Sequence, residues 1–142
     1  MIVTGGIEER SASLRRDKTF ENLFNLTSDY GEVTAARYLD GEQEKTISFS
    51  AYKEMVFAYA AMLRDLIGQE HAGRFVAISL DTCPEWYTVF WGVIAAGYNA
   101  VLVDFSLSDE MTAYILRQAN AVAIIEKKPR VLSTDILQIT LK

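Results

Sequence analysis

Few residues in this chain are of types that do chemistry, and their spacing limits what each can do. His71 is the only histidine and Cys83 the only cysteine. A histidine that activates a serine or thiol must sit beside it, and His71 falls instead in a polar loop, Gln69 to Gly73, where a lone imidazole reads as solvated. One thiol and one imidazole cannot supply the four ligands of a closed zinc site. Cys83 precedes a helix start, a place that can lower a thiol pKa, but no partner base stands near it in the sequence. Asp81, Glu85 and Asp104 fall near the carboxyl ends of expected strands, where open α/β sheets bind ligands. Each also has a structural reading, Glu85 as a first-turn acid and Asp81 and Asp104 as turn residues. Gly5-Gly6 follows Ile2-Val3 as a phosphate loop would, yet no third glycine or lysine follows at dinucleotide-fold or P-loop spacing. Two basic groups, Arg15-Arg16 with Lys18 and Lys127-Lys128 with Arg130, are expected in a solvated helix start or loop. No catalytic, cofactor-binding or metal-binding residue is assigned on these grounds.

The composition suits a folded core, with 142 residues of which 50% are hydrophobic and 23% charged. A net charge of -5 argues against a nucleic-acid partner, because neutralising phosphates requires a basic face. A single cysteine forbids an internal disulfide and fits a cytoplasmic location. Asn25-Leu26-Thr27 matches a glycosylation sequon, but the first residues show no apolar leader segment, so the match reads as chance. The longest uncharged stretch, Trp86 to Val103, has about the minimum length of a membrane span. Gly97-Tyr98-Asn99 interrupts it and acids flank it, so a buried helix followed by a buried strand is expected and no transmembrane segment.

The positioning elements follow from periodicity. Residues 1–16 read as a polar, irregular arm, and Asp17 as the N-cap of a helix with an apolar stripe of Phe20, Leu23, Phe24 and Leu26. Val33 to Leu39 and Thr46 to Phe49 read as strands of a hairpin turning at Asp40-Gly41. Ser50 is the expected N-cap of a long amphipathic helix that stops at Gly68. Phe75 to Leu80 is a near-continuous apolar run of the kind found in doubly covered strands. Pro84 opens a helix with Trp86, Val89, Phe90, Val93 and Ile94 on one stripe, and Ala100 to Val103 is the next strand. Ser108 caps a further helix with Met111, Tyr114 and Ile115 inward, ended by Asn120, before the strand Val122 to Ile125. Ile136 to Leu141 is read as one more strand after Pro129. The order predicts an α/β fold, a βαβαβ parallel sheet with flanking helices, preceded by a helix and a β-hairpin.

This series resembles the N-terminal region of AMP-forming acyl-CoA synthetases and their adenylate-forming relatives. The residues that carry the likeness are Ser48-Phe49-Ser50-Ala51-Tyr52, Gly73 to Leu80, Cys83-Pro84-Glu85-Trp86, Gly92 to Gly97, Asp104 with Ser106-Leu107, Tyr114-Ile115-Leu116 and Ala121 to Ile125. Departures stand at Thr82, where the family usually has Asn, and at Leu102, Phe105 and Ser108, where it has prolines. The resemblance implies that residues 17–142 are a partial N-terminal domain of an AMP-dependent ligase. Such an enzyme activates a carboxylic acid with ATP and Mg²⁺ as an acyl-adenylate, then forms a thioester with coenzyme A. The family's Ser/Thr/Gly-rich phosphate loop, its later nucleotide motifs and its mobile-domain lysine find no match in this sequence, so the chain is expected to bind no cofactor and to be inactive alone. Its expected partner is the remainder of the parent synthetase, with a homodimer of the fragment as a consequence of uncovered sheet edges. Two other readings stay open: a free-standing binding or oligomerisation module, and a small flavodoxin-like nucleotide binder.

Overall fold

The computed structural model describes residues 7–142, so Gly5-Gly6 lies outside the described residues. The chain divides into two compact units, Met1–Glu54 and Met55–Lys142.

The first unit holds α1 (Ile7–Arg16), α2 (Phe20–Ser28) and a hairpin of β1 (Thr34–Asp40) and β2 (Gln43–Ser48). The helix α1 corrects the expected irregular arm. Glu9 stands near its start and Arg15 and Arg16 in its last turn, an order that favours the helix dipole at both ends. The N-cap of α2 is Thr19 and not Asp17. The Thr19 side chain accepts the Asn22 N–H, while the Asp17 carboxylate accepts the Thr19 N–H at 3.2 Å, one step outside the helix. Of the expected stripe only Phe24 is buried; Phe20 and Leu23 are exposed. The hairpin turns where the sequence places it. Gly41, at φ 65, takes the first of two loop positions, a backbone state that costs a residue with a Cβ dearly.

The long helix α3 (Phe49–Ile67) starts one residue before its expected cap. Ser48 does the capping, its hydroxyl accepting the Ala51 N–H at 3.1 Å. The N–H groups of Phe49 and Ser50 donate to Val33 O and Gly31 O, so backbone and not Ser50 satisfies the first turn.

The second unit is built on one parallel sheet in the order β4-β3-β5-β6, formed by β3 (Phe75–Ser79), β4 (Asn99–Leu102), β5 (Ala123–Glu126) and β6 (Leu137–Thr140). Two helices link the first three strands, α4 (Glu85–Ala95) and α5 (Asp109–Gln118). Alternation along the strands decides which helix each side chain meets. Val76, Ile78, Ala123, Ile125 and Ile139 share a core with residues of α3 and α4, whereas Ala77 and Ile124 pack with Leu116 of α5. Both faces are therefore covered, which explains the near-continuous apolar runs.

Three expectations are corrected in this unit. Where uncovered sheet edges were expected, Val103 and Ile124 are 5% and 0% exposed, because β6 pairs with β5 and α5 closes the second face. Met111 and Tyr114 of α5 are exposed, and the buried stripe is Thr112, Ala113 and Leu116. The helix is turned so that small side chains meet the sheet and Thr112 reaches an arginine. Trp86 does pack against the core from its stripe but is only half-buried, stacking on Phe90 at 5.3 Å, while Trp91 is the more deeply buried indole. The caps at Ser108, which accepts the Met111 N–H, and at Asn120, at φ 49, agree with the sequence. The uncharged stretch splits into α4 and β4, and among the described residues no helix is long and apolar enough to cross a membrane.

Candidate functional site

In the sheet order, β4 lies on one side of β3 and β5 on the other, so the connections diverge at the β3/β5 boundary. Open α/β sheets bind ligands outside the carboxyl ends of the strands at such a switch point. A cleft of about 380 Å³ lies there, lined by Ser79 and Asp81 at and after the end of β3, Phe105 after β4, and Glu126 to Arg130 at and after β5.

Arg130 organises this cleft. Its guanidinium donates to Leu107 O at 2.8 Å, Thr112 Oγ1 at 3.0 Å, Ser79 Oγ at 3.2 Å and Phe105 O at 2.7 Å. Its Nε faces Glu126 Oε2 at 3.2 Å, and its backbone N–H donates to Gln138 Oε1 at 3.1 Å. One side chain thus ties β3, β5, the β4–α5 loop and α5 together. A planar fork with five donors suits such a role, and a lysine could not reproduce it.

Glu126 is 2% exposed at the end of β5. Burial pushes its carboxyl above the ordinary value of 4.5, and the Arg130 guanidinium pulls it back only in part. The folded chain then keeps a proton that the unfolded chain releases, so this group lowers stability as pH rises from 4.5 through the folded-state value. We expect Glu126→Gln to gain stability relative to the wild type as pH rises across that window, read as urea midpoints from acid to neutral pH. A difference that stays constant with pH would place the titration elsewhere.

The other residues singled out in the sequence scatter. Asp81 is in the cleft and pairs with Lys127 at 2.8 Å, a hydrogen bond that raises the lysine pKa. Asp104 turns away into its own loop, where its carboxylate accepts the Ser106 N–H and hydroxyl, and these bonds hold its pKa below the ordinary range. Glu85 lines a different groove, beside α3. Cys83 is half-buried, and burial, followed by a hydrogen bond with Glu85, raises its pKa, the opposite of an activated thiol. His71 lies in a 3₁₀ turn, its Nε2 3.7 Å from Glu70 Oε1. The second basic group, expected in a solvated loop, is split. Arg130 is 14% exposed and structurally engaged, Lys127 is paired, and Lys128 is left with no ion-pair partner among the described residues.

The cleft therefore offers one free ammonium and no paired nucleophile and base. Among the described residues no group of three or more His, Cys, Asp or Glu side chains could hold a metal ion. With Asp81 and Arg130 already engaged, these residues do not fit a Mg²⁺–nucleotide site by themselves. Ser79, Thr112 and Glu126 escaped the sequence reading because only the strand order brings them to Arg130. The one local signal was the Glu126–Arg130 spacing after a buried strand.

The fold is that of the N-terminal subdomain of adenylate-forming enzymes. It matches the Klebsiella oxytoca NpsA N-terminal subdomain, solved in complex with 3-hydroxybenzoyl-AMSN, with a TM-score of 0.73 at 21% identity, over 85% of this chain and 29% of that one. It also matches O-succinylbenzoate coenzyme A synthetase from Bacillus subtilis, in complex with AMP, with a TM-score of 0.72 at 17% identity, over 82% of this chain and 30% of that one. The AMP-binding enzyme family model matches residues 26–140, and the chain belongs to that family. Tyrocidine synthase 3 of Brevibacillus parabrevis is 27% identical over 126 residues, 88% of this chain. The nonribosomal peptide synthetase SIDC of Beauveria bassiana is 28% identical over 71 residues. The chain spans 2% of the length of each of these two synthetases.

Proposed function

We propose that this chain is a partial N-terminal domain of a ligase that activates a carboxylic acid. The whole enzyme joins the carboxylate oxygen to the α-phosphorus of ATP with loss of pyrophosphate. A thiol then attacks the acyl carbon and AMP leaves. The observation that carries the reading is the family match across residues 26–140 together with the parallel sheet. ATP and Mg²⁺ belong to the whole enzyme, and residues outside this chain hold them. Coenzyme A is the thiol in the acyl-CoA synthetase reading. The likeness to two nonribosomal peptide synthetases favours a second reading, in which an amino or aryl acid passes to another thiol. The cytoplasm is the proposed location, where the single thiol of Cys83 stays reduced. A free-standing module that dimerises is a further alternative, supported by β4 and β6 each lying at an edge of the sheet.

The test is ATP–pyrophosphate exchange. Residues 1–142 alone are expected to show none above a boiled control with any carboxylic acid, since no catalytic residue is assigned to them. The complete gene product is expected to show exchange with its own acid. Exchange by residues 1–142 would overturn the reading.

A further inference from the structure

The helix α3 is apolar on two faces. Val56, Ala60, Leu63 and Ile67 are buried. A second stripe, Met55, Ala58, Tyr59, Met62 and Leu66, recurs at i, i+3, i+4, i+7 and i+11, about 100° around the helix at 3.6 residues per turn. Met55 and Leu66 on this stripe are 39% and 53% exposed. Met55, Ala58, Tyr59 and Met62 of the stripe, with Glu85, Thr88 and Val89 of α4 and with Leu141, wall a largely apolar groove of about 410 Å³.

The floor of the groove is already built. Gly92 lets the Tyr59 ring lie against α4, since a Cβ there would stand 2.7 Å from Tyr59 Cδ1. The Tyr59 Oη and Thr88 Oγ1 atoms are shielded from solvent and have no hydrogen-bond partner among the described residues. Native proteins leave few such groups unsatisfied. A second apolar stripe, partly exposed and facing an apolar groove, is the pattern of a helix-in-groove contact lacking its other half.

We propose that the remainder of the parent's N-terminal subdomain covers this groove with an apolar helix packed on the Met55–Met62 stripe. The occupant rests on the reading of the chain as part of a larger ligase. It is singled out by length, because the chain matches the NpsA N-terminal subdomain over only 29% of that chain, leaving most of such a subdomain outside the matched segment.

Methionine oxidation reads the coverage directly. Hydrogen peroxide footprinting with peptide mass spectrometry, on the complete gene product and on residues 1–142, is expected to show Met55 and Met62 oxidised at least about tenfold more slowly in the complete product, because cover removes the sulfur from solvent. Equal rates at Met55 in the two would overturn the proposal. A complete product with the intact mass of this chain, 15.9 kDa, would remove the larger ligase itself, independently of the footprint, and the occupant with it. In that case, protection of Met55 that grows with protein concentration would assign the groove to a second copy.

Discussion

Replacing Arg130 with methionine is expected to destabilise the fold by about 3–5 kcal/mol, the range for removing one partner of a buried ion pair. The loss comes from what is left behind. Glu126, 2% exposed, would face an apolar chain in place of its guanidinium. Ser79 Oγ, Thr112 Oγ1 and the Leu107 and Phe105 carbonyls would lose their donor together. Arg130→Lys should recover little, because a point charge cannot reach four acceptors at once. Pairing Arg130→Met with Glu126→Gln should recover part of the loss, since the amide removes the uncompensated charge. Urea unfolding of the three variants checks this. A midpoint for Arg130→Met within error of the wild type would show that the guanidinium does not hold the cleft together.

Ile125→Ala is expected to cost about 2–5 kcal/mol, the transfer and cavity terms of a large-to-small change in a closed core. Ile125 is 0% exposed, and its register partners are Ile78 on β3 and Ile139 on β6. Its side chain belongs to the core that includes Leu63 of α3 and Val93 of α4, so the cavity would open between sheet and helices. Leu102→Ala is the contrast. Leu102 lies on the edge strand β4 and is 57% exposed, so its change should stay within about 0.5 kcal/mol. Equal losses for the two, measured by denaturant unfolding, would mean that β5 does not occupy an inner position.

Local physics carries much of this fold. The turn at Asp40-Gly41, the cap at Ser108, the left-handed stop at Asn120 and the succession from β3 to β5 each depend on neighbouring residues, and each was legible in the sequence. Where two polar residues two positions apart could each cap a helix, tertiary contacts chose between them. Ser48 caps α3 in place of Ser50, because the N–H of Ser50 finds Gly31 O, a partner that the cap pattern does not include. Thr19 replaces Asp17 at α2 in the same way.

The candidate site depended on pairings distant in the chain. Arg130 meets Ser79, 51 residues away, and Phe105, 25 residues away, and neither separation leaves a periodic trace in the sequence. From the residues alone, Lys127, Lys128 and Arg130 looked like one basic group in a loop. The placement of β5 beside β3, with β6 beyond it, turned them into an engaged clamp, a paired lysine and one free lysine. The phase of α5 was decided likewise, by Arg130 reaching Thr112 and by Leu116 packing under the sheet, leaving Met111 and Tyr114 outside. The sequence by itself determined the kinds of element, their order and the family likeness, because periodicity, caps and turns act over a few residues. Only the tertiary structure decided the strand order, the covered faces and the partners of each charge, because those arise from contacts between segments that the chain's local preferences do not connect.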